Sequence, residues 1–225
     1  MLLIINPSKR ITRSISETFY FMGILSYGAT PQEGLSEISE LYRAVLIVYP
    51  EEFPDITDYI QRLKRYKSNI PIFAICTEET SLLYSDIFDG VFPRNIFSPA
   101  LAKNIIEFAN EKKYAKIGDY RLAGINASID LPTINYFYRT VKLTKTETMI
   151  LRFLMRSYPL PMKSKTILKY AFRPSRAPDS SVIKTYVSIM NKKFEKDLDK
   201  RMITLVPKEG YLILTAEYLY KGKLV

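Results

Sequence analysis

Wound as a helix, the segment SSVIKTYVSIMNKKFEK places Ser181, Lys184, Thr185, Ser188, Asn191 and Lys192 on one side. Ile183, Val187, Met190 and Phe194 recur at steps of four, three and four and fall on the other. The first group holds no acidic residue, two lysines and short side chains that donate and accept hydrogen bonds. Ammonium groups bind phosphate oxygens, while hydroxyl and amide groups bind base edges, so this cylinder suits the major groove of duplex DNA. An ordinary solvated helix face has the same pattern, and the flanking segments decide between the two.

After the helix, MITLVPKEGYLIL sets apolar runs on either side of Pro207-Lys208-Glu209-Gly210, which reads as two strands around a turn. Upstream, Thr144 and Glu147 have the spacing of a capping box, in which hydroxyl and carboxylate each take a free backbone N–H. The helix they open buries Ile150, Phe153 and Leu154, is expected to turn Arg152 and Arg156 outward, and ends at Tyr158-Pro159-Leu160-Pro161. A second helix runs from Met162 to Phe172, and Asp179 or Ser180 can cap the third. Short β-like pieces precede them at Tyr120–Ala123, Asn126–Ile129, Ile134–Tyr138 and Thr140–Leu143, separated by Gly124, Asp130 and Pro132.

Charge divides the chain. Residues 1–111 hold 10 Lys+Arg and 14 Asp+Glu, whereas residues 112–225 hold 23 and 9. That asymmetry predicts two domains, only the second suited to a polyanion. RNA or a membrane surface also attracts basic protein, but the helix and turn signals favour duplex DNA. Hydrophobic residues make up 47% and charged residues 25%, a globular balance. No apolar run approaches the ~20 residues of a membrane helix. The opening MLLIINPSKR puts its apolar run before its basic residues, the reverse of a signal peptide. One cysteine, Cys76, excludes an internal disulfide and fits a reducing cytoplasm.

In the acidic half, short apolar runs alternate with helical patterns. Strands are expected at Leu2–Asn6, Ile24–Tyr27, Ala44–Tyr49, Ile70–Ile75 and Gly90–Phe92. Helices are expected at Ile11–Gly23, Glu33–Tyr42, Ile56–Tyr66, Glu78–Phe88 and Pro99–Lys112. The alternation predicts a parallel sheet covered on both faces. A polar stretch between Asn110 and Ile117 marks the joint, near Lys116.

Segment 143–214 resembles the winged-helix DNA-binding domain of OmpR/PhoB-type response regulators. Leu143-Thr144 with Glu147, Phe172 before the recognition helix, Lys192-Lys193-Phe194 at its end and Gly210-Tyr211 closing the wing carry the resemblance. It implies Ser181, Lys184, Thr185, Ser188, Asn191, Lys192, Lys193 and Lys208 as DNA-binding residues. The lysines would bind phosphate, and Ser181, Thr185, Ser188 and Asn191 would face base edges, Asn191 pairing with adenine. Tyr186 is expected either against the sugar-phosphate backbone or in the core. Ser181, Ile189 and Asn191 depart from the family pattern, so specificity should differ. The 173–178 loop corresponds to one that often faces RNA polymerase in the family, or it is a plain connector.

The five β-α units resemble a flavodoxin-like (CheY-like) receiver in spacing but not in chemistry. Its acidic pair falls on Asn6-Pro7 and its phospho-acceptor aspartate on Val48, or Tyr49 one residue on. Its hydroxyl residue falls on Cys76 with Thr77 next door, and its lysine on Arg94, with Asn95 where proline is usual. Mg²⁺ needs hard oxygen ligands, commonly carboxylates, and valine forms no acyl phosphate. The resemblance therefore implies a pseudo-receiver over residues 1–112, kept for its shape, with no metal or cofactor. Dimerisation would use the Thr80–Lys112 region, with Asp86, Asp89, Arg94, Lys103 and Glu107 as candidate charges. An anion near Arg94 is a further option.

Enzymatic readings fare poorly. No histidine is present for a Ser-His or Cys-His nucleophile, and NPSKRIT lacks the glycines of a nucleotide cradle. The expectation is a cytoplasmic, bacterial, phosphorylation-independent transcriptional regulator. It would pair an α/β pseudo-receiver with a winged-helix domain at 117–225 and bind double-stranded DNA as a homodimer. The alternative is a signalling adaptor for which DNA binding is secondary.

Overall fold

The structure, a computed structural model, describes residues 1–94, 98–112, 120–122, 125–127, 133–136, 139–173 and 178–214. The chain divides into two compact units, Met1–Gly118 and Asp119–Val225. The joint near Lys116, Asn95, the turn residues Gly124, Asp130 and Pro132, most of the 173–178 loop and the tail after Leu214 lie outside the described residues.

The first unit runs β1 (Leu2–Ile5), α1 (Lys9–Phe21), β2 (Ser26–Ala29), α2 (Pro31–Glu37), β3 (Ala44–Val48), a 3-10 turn (Pro50–Glu52), α3 (Ile56–Tyr66), β4 (Ile72–Cys76), α4 (Glu78–Tyr84), β5 (Gly90–Pro93) and α5 (Pro99–Glu111). The five strands form a parallel sheet in the order β2-β1-β3-β4-β5. Every residue of β1, β3 and β4 is buried, the mark of strands covered on both faces. Right-handed crossovers then put α1 and α5 on one face and α2 to α4 on the other. α1 touches α5, and the Tyr59 hydroxyl of α3 donates to the Pro31 carbonyl of α2.

Two helices end earlier than their periodicity predicts. α2 begins with Pro31 and stops at Glu37, not Tyr42; Thr30 and Glu33 form a capping box that fixes its start. α4 stops at Tyr84, short of Phe88, and buries no residue. Leu82 and Leu83 on α4 are 83% and 71% exposed. β2 lies two residues later than the apolar Ile24-Leu25 pair, which is buried ahead of the strand.

The second unit opens with an antiparallel sheet, β6 (Arg121–Leu122), β7 (Ile125–Ala127), β8 (Thr133–Tyr136) and β9 (Arg139–Lys142). Three helices follow, α6 (Lys145–Ser157), α7 (Ser164–Ala171) and α8 (Val182–Leu198), then the hairpin β10 (Ile203–Val206) and β11 (Gly210–Ile213). The Thr144–Glu147 capping box is formed in full. Arg152 does not turn outward as expected. It is 2% exposed, with its guanidinium 5.1 Å from the Tyr120 ring centre, and Arg156 is half-buried. α6 is the central element of its unit and has little solvent face to offer, so even its arginine stems pack.

Candidate nucleic-acid interface

Ile183, Val187, Met190, Phe194 and Leu198 are buried and fix α8 by one side. The opposite side is in solvent, where Ser181, Lys184, Thr185, Ser188, Ile189 and Lys192 are all exposed. The side chains of Lys184, Thr185, Ser188 and Lys192 bond no described residue. They are therefore open to an outside partner. The start of the helix is held by Asp179, whose carboxylate accepts the Ser181 backbone N–H at 2.8 Å. That bond holds the exposed Asp179 carboxyl below its ordinary value. Ser181 sits at the N-cap position without a side-chain cap bond.

Two expected DNA contacts are spent inside the protein. The Asn191 amide donates to the Ile203 carbonyl at 2.7 Å, and its oxygen accepts from the N–H groups of Met202 and Ile203 at 3.3 and 3.1 Å. It lies at the flank of the exposed stripe and ties α8 to the start of the hairpin, and its oxygen, which already accepts two N–H groups, is not free for a paired contact with adenine. The Lys193 ammonium lies 2.6 Å from the buried carboxylate of Glu147. Glu147 also accepts the Thr144 N–H at 2.6 Å, so one carboxylate caps α6 and anchors α8. Lys193 thus has a structural partner inside the protein. Tyr186 meets Phe172 edge-on at 5.5 Å and is half-buried, the packing alternative of the two expected.

The hairpin carries Lys208 at its exposed tip in a left-handed conformation, φ 65°. Gly210 has φ 127°, and a Cβ there would lie 2.3 Å from the Met162 carbonyl oxygen. Only glycine lets the strand approach Met162, whose N–H and C=O both bond Tyr211, at 2.8 and 2.9 Å. The Gly-Tyr pair is thus the clamp that seats the hairpin on the segment before α7.

Residues 138–213 match the family described as "Transcriptional regulatory protein, C terminal". The match supports a DNA-binding regulator and covers the helices and hairpin just described. No curated protein matches the chain. Among solved structures, a RitR mutant is 14% identical, covers 96% of this chain and 99% of its own, and has a TM-score of 0.41. The OmpR/PhoB homologue DrrB of Thermotoga maritima is 17% identical, with coverages of 94% and 97% and a TM-score of 0.39. The DNA-binding domain of the response regulator AdeR, solved with an intercistronic region, is 18% identical, with coverages of 43% and 99% and a TM-score of 0.38.

In the first unit, the positions expected to form a degenerate phosphorylation pocket meet at the C-terminal end of the sheet. Asn6 is buried; its amide donates to the Val48 carbonyl at 2.8 Å and to Glu52 Oε2 at 2.9 Å, and its oxygen accepts the Ser8 N–H at 2.7 Å. Pro7 follows without a donor. Val48 is core, and Tyr49, at φ 55°, lays its ring 3.8 Å from the Arg94 guanidinium. The Arg94 N–H donates to the Cys76 carbonyl at 2.5 Å. Cys76 is buried, which pushes its thiol up, and Thr77 caps α4 by accepting the Thr80 N–H. Among the described residues, no three His, Cys, Asp or Glu are grouped to hold a metal ion.

Arg94, for which a nearby anion was one option, stacks on the Tyr49 ring. A cavity of about 490 Å³ opens beside Pro7 and Glu52, lined also by Pro31, Phe53, Tyr59 and Arg62 among others, and includes neither Arg94 nor Cys76. Three of the expected interface charges are also used locally. The Asp89 carboxylate accepts the Ile72 N–H at 2.8 Å, and Lys103 pairs with Glu107 one turn on at 3.5 Å. Among the described residues, no helix is long and apolar enough to cross a membrane.

Proposed function

We propose that this protein is a transcriptional regulator that binds duplex DNA by laying the exposed side of α8 in the major groove and the Lys208 hairpin against the adjacent phosphates. One observation carries the reading. Lys184, Thr185, Ser188 and Lys192 line one exposed side of a helix whose other side is buried, and their side chains bond no described residue. The family match over the same residues supports it. Lysines supply sequence-independent attraction, and the hydroxyls between them touch base edges. The test is a salt titration against genomic fragments. A regulator retains particular fragments at physiological salt, beyond uniform electrostatic binding. A chain that releases every fragment alike refutes the reading and leaves the adaptor alternative.

Control in this reading is independent of phosphorylation. The acceptor position holds Val48 or Tyr49, and the carbonyl of Val48 and the carboxylate of Glu52 both face the Asn6 amide. Acetyl phosphate or beryllofluoride is expected to leave mass and oligomeric state unchanged; a stable adduct on residues 48–52 overturns this. The same reading assigns dimerisation to α4. Leu82 and Leu83 form an exposed apolar pair on a helix that buries nothing, and a second copy of the chain is their proposed cover. Leu82→Lys is expected to shift the sedimentation coefficient to that of a monomer.

A further inference from the structure

The exposed stripe of α8 has few means of telling one base pair from another. Arginine, glutamine and asparagine read purines through paired hydrogen bonds. Neither of the first two occurs in α8, and its asparagine, Asn191, commits its oxygen and one N–H to Met202 and Ile203. Lys184 and Lys192 are point charges that bond phosphate or guanine without the fixed fork of arginine. The hydroxyls of Ser181, Thr185 and Ser188 both donate and accept, so they accommodate several bases.

One side chain breaks the polar character of the stripe. Ile189 is 42% exposed and stands one turn from Thr185 and from Lys192. The buried side of α8 is supplied by Ile183, Val187, Met190 and Phe194, and Ile189 lies outside that stripe. A β-branched residue in solvent is also a poorer helix former than alanine. In the major groove, the 5-methyl group of thymine is the apolar feature that an aliphatic side chain can recognise.

We propose that Ile189, aided by the methyl group of Thr185, is a specificity-determining residue that reads thymine 5-methyl groups, so that preferred sites carry thymine opposite the middle of α8. The proposal rests on the reading of α8 as the groove-binding helix. It makes base selection depend on apolar contact where hydrogen-bond pairing is lacking.

The experiment uses the full chain. Duplexes are first enriched from a randomised pool at physiological salt. Each thymine of an enriched duplex is then replaced by deoxyuridine, which differs by the 5-methyl group alone, and affinity is measured for the native chain and for Ile189→Ala. At one or two positions, deoxyuridine is expected to weaken the native chain roughly fourfold, the size of one buried methyl group. Ile189→Ala is expected to bind the two duplexes equally, with an unchanged salt slope and an unchanged thermal midpoint. Enriched duplexes that tolerate uracil everywhere, or an Ile189→Ala chain that still discriminates, overturn this inference alone. A chain that enriches no duplex overturns the DNA reading and this inference together.

Discussion

At the C-terminal end of the parallel sheet, polar groups are turned toward one another: Asn6 toward Val48 and Glu52, Arg94 toward Tyr49, the Cys76 carbonyl toward the Arg94 N–H. Along α8, Lys184, Thr185, Ser188 and Lys192 are turned toward solvent. Both regions sit where their fold conventionally places function, a strand end and a helix flank. The contrast lies in where the bonds go. A group already bonded inside the protein must give up that bond before it can take a ligand, at a cost comparable to what the ligand would return. An exposed lysine gives up only water and counterions. The first region is therefore a knot of internal bonds and the second a surface open to solvent, although both are polar.

The clamp that seats the hairpin should respond most. Gly210→Ala puts a Cβ into the Met162 carbonyl and forces an L residue to φ 127°. Since the obstacle is backbone and is itself bonded to Tyr211, it has no cheap way to move. A loss of about 3 kcal/mol in unfolding free energy is expected, with DNA affinity falling alongside. A variant of native stability would mean that the hairpin is not clamped here.

Neighbouring residues on α8 should then separate the two kinds of polar group. Asn191→Ala deprives the Ile203 carbonyl and two N–H groups of their partners, and is expected to cost about 2 kcal/mol while leaving base preference unchanged. Lys193→Ala should likewise cost stability, because the carboxylate of Glu147 stays buried without its ammonium. Lys192→Ala should do the reverse, keeping the thermal midpoint and flattening the salt dependence of binding by about one unit. Chemical denaturation and a salt titration on the three variants decide the matter. Equal effects from Lys192 and Lys193 would dissolve the contrast.

These residues also show how far a sequence carries. Periodicity places the buried stripe of α8 correctly, because Ile183, Val187, Met190 and Phe194 follow the helical repeat. It does not show that the chain, turning back after Leu198, lays β10 against one flank of the helix, and that approach makes Asn191 a brace between the two. Arg152 misleads for a related reason. An arginine is assigned to solvent by default, but a helix packed on most of its circumference buries the stem and stacks the head on Tyr120. The five-stranded sheet is legible because strands covered on both faces need unbroken apolar runs. The start of α2 is written in Thr30-Pro31-Gln32-Glu33, a capping box with proline at the first helical position, two residues ahead of the expected Glu33. Ile189 was visible as a departure from the family pattern, but its exposure was not.

A smaller effect tests the knot itself. If the Arg94 guanidinium holds Tyr49 by the face of its ring, Tyr49→Phe should keep the stability of the first unit and Tyr49→Leu should lose about 1 kcal/mol. Neither substitution should alter DNA affinity per folded molecule. Equal losses in the two variants would assign the role to the hydroxyl instead.

The smallest expected effect lies at an exposed ion pair beside the same sheet end. The Lys9 ammonium lies 2.6 Å from Glu33, and the Thr30 backbone N–H donates to the same carboxylate at 2.9 Å. The Lys9 bond first, then the Thr30 bond, lower the Glu33 carboxyl from 4.5 to about 2. A carboxyl lowered on folding stabilises the folded chain fully above its ordinary value and loses that contribution as pH falls toward the lowered one. Lys9 is raised by the same partner, so the pair stays intact through the neutral range. Solvent and salt screen both groups, which keeps the contribution small. Glu33→Gln should therefore be slightly less stable than the native chain at pH 7, with the gap closing between about pH 4.5 and 2 and narrowing in high salt. A gap that stays constant across this range would show that Glu33 acts through its helix-capping geometry alone, which glutamine can partly reproduce, and that its charge contributes nothing.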